Sequence, residues 1–132
     1  MKIKLKTSDN NLDKFVGINE SGHEVVLGMG GSAMGPMENV LVSLAGCSTI
    51  DVVLMLKKMR QELTAVDVEV TAKRREEIPR TFTDIHLHFT IKGKVKENKA
   101  EQAVESSMTK YCSVSKMLEK AATITSSFEV TE

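Results

Sequence analysis

Polar and apolar residues alternate strictly over Lys2–Lys6, with Ile3 and Leu5 on one face, and this predicts a strand closed by the Ser8-Asp9-Asn10-Asn11 turn. Lys14–Asn19 and Glu24–Leu27, separated by the Ser21-Gly22 turn, predict the second and third strands of a meander. The period then changes. Pro36, followed by Met37 and the acid Glu38, is a helix start, and no break in helical character comes before Thr64-Ala65-Val66. The stretch Gly35–Leu63 is therefore predicted as one helix of about seven turns. Between Val40 and Leu56 its polar side chains are Ser43, Ser48, Thr49 and Asp51, and a helix apolar on nearly every side has to be surrounded by protein. That stretch is near the lower length bound for a membrane span, but its hydroxyls, small residues and Asp51 argue against lipid.

Alternation returns in Ala65–Lys73, where Val66, Val68, Val70 and Ala72 face one way, and in Phe82–Lys92, where Ile85, Leu87, Phe89 and Ile91 do. The charged run Arg74–Glu77 and Pro79 separate these two strands. Asn98–Lys120 has helical spacing, with a stripe of Ala100, Ala103, Val104, Ser107, Met108 and Tyr111. A kink or restart is expected at Tyr111–Ser115, with Ser113 as the cap of the new turn. Thr123–Thr131 is a last strand. The order of three strands, a long helix, two strands, a helix pair and a strand is an α+β layout. Two small sheets and a helix pair can hardly cover the long helix, which predicts a homodimer in which the long helices pack against each other.

A chain of 132 residues with 41% hydrophobic content suits one domain over 1–132. Lys plus Arg equals Asp plus Glu at 18 each, which removes the electrostatic case for nucleic acid or an anionic membrane surface. No hydrophobic run at the N-terminus suggests a secretory signal, so a cytoplasmic location is expected. There, two cysteines are reduced thiols or a catalytic pair rather than a staple. Gly28–Gly35 is glycine-rich, but its spacing matches no phosphate-binding loop and predicts no nucleotide cofactor. His86 and His88 share a strand face at a spacing that can chelate a metal. With only Asp84 nearby as a third ligand, the reading is two solvated histidines and no metal.

The chemistry then rests on the thiols. Cys47 lies mid-helix, where a free cysteine is usually just a small buried hydrophobe. Yet Pro36-Met37-Glu38 followed by Gly46-Cys47 in an apolar helix, with Tyr111-Cys112-Ser113-Val114 at the head of a later one, resembles the OsmC/Ohr family of thiol-dependent hydroperoxide reductases. The resemblance covers nearly the whole chain in element order. It implies two small antiparallel sheets around a long central helix in an intertwined homodimer with active sites at the subunit interface. It also implies Cys47 as the peroxidatic thiol, Cys112 as the resolving thiol, Glu38 as the acid at the helix start, an organic hydroperoxide as substrate and a dithiol reductant such as a lipoyl group or a thioredoxin-like protein. Two thiols are needed because a sulfenic acid must be condensed before further oxidation. Apolar walls of Leu44, Ile50, Val52 and Leu54 would favour organic hydroperoxides.

The chain departs from the family in its cations. No arginine precedes Arg60, and the upstream cations Lys2, Lys4, Lys6 and Lys14 lack the planar fork of a guanidinium. This marks a divergent branch without the usual N-terminal arginine. Glu38 stands nine residues before Cys47, half a helical turn out of phase, whereas Asp51 is one turn after it and would disfavour a thiolate. If no arginine reaches Cys47 from the partner chain or from another part of the fold, Cys112, at the start of a helical turn between Lys110 and Lys116, is expected to be the more acidic thiol. The alternative to a redox enzyme is a non-catalytic dimeric module that binds an apolar small molecule in the interface cleft, with the cysteines as lining.

Overall fold

The alternating and helical stretches become, in the computed structural model, which describes residues 1–132, the strands β1 (Ile3–Ser8), β2 (Asn11–Asn19) and β3 (Glu24–Gly28), the helix α1 (Pro36–Lys58), β4 (Glu62–Arg74), β5 (Phe82–Lys94), α2 (Glu97–Ser106), α3 (Ser113–Leu118) and β6 (Thr123–Thr131). A five-residue π-turn, Ser107–Tyr111, lies between α2 and α3. Two compact units are formed, Met1–Val42 and Ser43–Glu132.

In the first unit, β1, β2 and β3 form an antiparallel meander. Asn10, at φ 58°, takes the left-handed position of the β1–β2 turn, which asparagine tolerates. The Asn19 side chain shapes the next turn by accepting the Ser21 and His23 amides at 3.0 and 2.9 Å. The glycine-rich loop folds back on β2: Met29 N–H donates to the Asp13 carbonyl at 2.9 Å and Gly28 N–H to that of Met34 at 3.0 Å. Those two amides are spent on the carbonyls of β2 and of the loop itself. Ile3 and Leu5, apolar partners on one face of β1, are 64% and 59% exposed.

The second unit holds the buried core. β5 contributes Phe82, Ile85, Leu87, Phe89 and Ile91, α2 adds Ala100, Ala103 and Val104, and α1 adds Leu44, Val52 and Leu56. β4 and β5 pair antiparallel with β6 on the other side of β5. The expectation of antiparallel sheets is corrected at β6, which runs parallel to β5: the α2–α3 crossover returns the chain to the end where β5 began, so that Ile85 pairs with Ile124. Opposite the bulge between Leu63 and Ala65, Gly93 at φ 130° brings its backbone against Glu62 and Thr64, leaving no room for a Cβ.

α1 begins as its sequence predicts. Gly35 N–H donates to the Glu38 carboxylate at 3.1 Å, the returning half of a capping box. Its end differs from the expected Leu63. Arg60 turns left-handed at φ 59°, Gln61 N–H bonds the Leu56 carbonyl and Arg60 N–H that of Lys57, both at 2.9 Å. This is a Schellman ending with arginine where glycine is usual, and it stops the helix at Lys58. Although α1 is apolar and long enough to cross a membrane by length and composition, it buries one stripe: Leu44, Ser48, Val52 and Leu56. The opposite stripe, Val42, Ile50 and Leu54, is exposed.

Candidate functional site

Cys47 lies at the midpoint of α1 and is half-buried. Cys112 reaches it from the π-turn. An extra residue in that turn makes Cys112 N–H donate to the carbonyl of Ser107, five residues back, at 2.8 Å. Cys112 then leaves helical geometry at ψ 107°, and its Sγ accepts the Ser115 N–H at 3.4 Å as the N-cap of α3. The expected cap, Ser113, is therefore corrected to Cys112, because the helix breaks one residue earlier.

The two thiols, distant in sequence, are brought close enough for Cys47 to act on Cys112, and both are free. Cys112 is completely buried. Burial pushes its thiol up from 9.0 to about 11, and the hydrogen bond to Cys47 and the charge of Cys47 act the same way, against the Ser115 and Val114 amides. Desolvation thus raises the Cys112 thiol, against the expectation that its position at the start of a helical turn between two lysines acidifies it. Nor do the flanking ammonium groups help: Lys110 lies over the Tyr111 ring at 5.2 Å and Lys116 pairs with Glu119 at 3.3 Å.

Asp51, one turn after Cys47, accepts from the Ser107 hydroxyl at 3.0 Å, and Ser107 is fully buried. The same hydroxyl lies 3.3 Å from the carbonyl of Ser48. Ser48 and Ser115, also buried, turn their hydroxyls to backbone carbonyls, Ser48 to Leu44 and Ala45, Ser115 to Met108. Sequence reasoning passed over Ser107 as part of an apolar stripe; a hydroxyl in such a stripe was the available signal. Of the four apolar wall residues expected around Cys47, Leu44 and Val52 are buried, but Ile50 and Leu54 are each 61% exposed and face outward. A cleft of about 660 Å³ opens beside Asp51, lined by Leu54, Met55, Met59, Lys58 and Tyr111 among others.

The remaining candidates have local employment. Glu38 is exposed and caps α1 through Gly35. The ring nitrogens of His86 meet Thr125 at 2.7 Å and Ser127 at 2.9 Å, and those of His88 meet Ser127 at 2.7 Å and Glu129 at 3.3 Å. No three potential ligands from His, Cys, Asp and Glu gather there or elsewhere. The guanidinium groups of Arg74, Arg75 and Arg80 donate to backbone carbonyls within their own hairpin.

The family model for OsmC-like proteins matches residues 29–127, a span that includes both cysteines and the proline-led helix. The chain belongs to the OsmC-like family. Protein YhfA of Escherichia coli K12 is 48% identical over 119 residues, covering 88% of this chain and 89% of that one. Among solved structures, a hypothetical protein from Aquifex aeolicus VF5 is 36% identical at a TM-score of 0.90, with 99% of this chain and 96% of that chain covered. The OsmC-like fold extends to an organic hydroperoxide resistance protein from Legionella pneumophila at a TM-score of 0.72. There the identity is 16% and coverage 98% of this chain and 97% of that chain. The α+β architecture of two small sheets and a long helix agrees with membership of the family.

Proposed function

We propose that this OsmC-like chain is a single-domain, thiol-based redox protein, an organic hydroperoxide reductase in which Cys47 attacks and Cys112 resolves. The observation that carries the reading is the proximity of the two thiols, supported by their unequal access: Cys47 is half-buried and Cys112 sealed. The Cys47 sulfur, as thiolate, attacks the terminal oxygen of the hydroperoxide. The O–O bond breaks, the alkoxide leaves as an alcohol with a proton from solvent, and Cys47 becomes a sulfenic acid. The Cys112 sulfur then attacks the Cys47 sulfur. The S–O bond breaks, the departing hydroxide takes the Cys112 proton as water, and a disulfide remains. A dithiol reductant restores both thiols by exchange and is itself oxidised to a disulfide.

The raised thiol of Cys112 suits the second role. It stays protonated at neutral pH, carries the proton that the leaving hydroxide needs, and does not compete for the peroxide. With no arginine ahead of Arg60, the Cys112 S–H is the donor that meets the Cys47 sulfur within this chain. Glu38 contributes by fixing the start of the helix that carries Cys47.

The working unit is a homodimer located in the cytoplasm. Val42, Ile50 and Leu54 on α1, and Ile3 and Leu5 on β1, are apolar and uncovered in the single chain, and a second copy would bury them. The open cleft beside Asp51 favours a second reading, a dimeric module that holds an apolar small molecule without turnover. Mass measurement after a stoichiometric dose of cumene hydroperoxide separates the two. Loss of two hydrogens per chain, absent in Cys112→Ser, supports the reductase; an unchanged mass supports the binding module.

A further inference from the structure

The geometry points to Asp51 as a positioning residue for disulfide formation: its carboxylate, acting through Ser107, holds Cys112 against Cys47. This rests on the thiol-pair reading only in taking the Cys47–Cys112 disulfide as the functional state.

Ser107 is gripped at both ends. Its hydroxyl donates to Asp51 Oδ2 at 3.0 Å, the shorter branch of a bond shared with the Ser48 carbonyl at 3.3 Å, and its own carbonyl accepts the Cys112 N–H at 2.8 Å. Asp51 in turn sits one turn from Cys47 on the same face of α1. A closed path therefore runs from Cys47 to Asp51, across to Ser107, along its backbone to Cys112, and back to Cys47 through the thiol contact. Apart from the thiol contact, every link is a hydrogen bond or helical backbone. The bond to the carboxylate is the shorter of the two that Ser107 makes to α1, and the serine that makes it is wholly buried. A π-turn is an uncommon geometry that an α-helix readily replaces, so the segment that presents Cys112 needs such a tie.

The Asp51 Oδ2 faces the serine, and its effect on the thiols is one of distance and angle. Disulfide geometry tolerates little error: the sulfurs must meet at a defined torsion, and a slack π-turn lowers the effective concentration of Cys112 at Cys47.

The test is the thiol–disulfide equilibrium with dithiothreitol, measured by mass after diamide oxidation so that hydroperoxide is not involved. Wild type, Asp51→Ala, Asp51→Asn and Ser107→Ala are compared, with circular dichroism to establish folding. Asp51→Ala and Ser107→Ala are expected to lower the equilibrium constant for disulfide formation about tenfold, a potential about 30 mV more oxidising. Asp51→Asn, which keeps an acceptor oxygen for Ser107, recovers most of that loss. Should Asp51→Ala not fold, the contrast between Asp51→Asn and Ser107→Ala carries the same comparison. Wild-type equilibrium constants in folded Asp51→Ala and Ser107→Ala overturn the assignment. A wild type that shows this dependence yet is not oxidised by hydroperoxide removes the reductase reading and leaves the positioning role standing.

Discussion

The sulfur of Cys112 accepts the Ser115 N–H at 3.4 Å, so that α3 is capped by a thiol that is itself completely buried. A cap and a proton donor are combined in one atom. Burial and the contact with Cys47 hold that thiol at about 11, above its ordinary 9.0. Because the folded value is the higher one, its contribution to stability is complete below pH 9 and is lost as pH rises from about 9 to 11. A shift of that size corresponds to about 3 kcal/mol. Urea unfolding of wild type and Cys112→Ser across this range should show the wild type losing stability more steeply.

Labelling by iodoacetamide at neutral pH should be faster for Cys47, assayed in Cys112→Ser, than for Cys112, assayed in Cys47→Ser. Two pKa units reduce the thiolate fraction of Cys112 about a hundredfold, and burial slows it further. Comparable rates for the two would mean that the π-turn opens readily.

Charge on the exposed stripe of α1 should break the proposed dimer. Ile50→Glu and Leu54→Glu each place a carboxylate where a second copy would pack, and the dissociation constant is expected to rise at least about a hundredfold. Sedimentation velocity at micromolar concentration reads the outcome, and an unchanged dimer locates the interface elsewhere.

Gly93→Ala combines a left-handed φ of 130° with a Cβ only 2.9 Å from the Thr64 amide and closer still to the Glu62 carbonyl. The neighbours are backbone and cannot step aside. A loss of about 2–4 kcal/mol in urea unfolding is expected, without any change in the labelling rate of Cys47.

How far the sequence discloses this molecule depends on whether the signal is local. The start of α1 is written in Gly35, Pro36 and Glu38, and the strands in their alternation. The end of α1 is hidden because Arg60 adopts the conformation usually reserved for glycine. The direction of β6 is equally hidden, since alternation is the same whichever way a strand runs. At the site, the sequence names both cysteines but not the burial of Cys112. Its neighbours Tyr111 and Ser113 are exposed and Lys110 and Lys116 are charged, so only the path of the chain shows that its side chain turns inward. Ser107 carries no local mark beyond a hydroxyl in an apolar stripe, because its partners Asp51 and Ser48 come from a helix more than fifty residues earlier.

The π-turn at Ser107–Tyr111 makes the site a matter of counting as much as of chemistry. Continued as a regular α-helix, each residue would advance about 100° around the axis, and one residue fewer in this stretch would swing Cys112 by that angle and draw it back about 1.5 Å. Every side chain needed for redox work would remain in the sequence, yet the thiols would no longer face each other. Deleting Thr109 should therefore silence the pair while both cysteines stay in place, and relatives that keep the two cysteines but not this length need not share the activity.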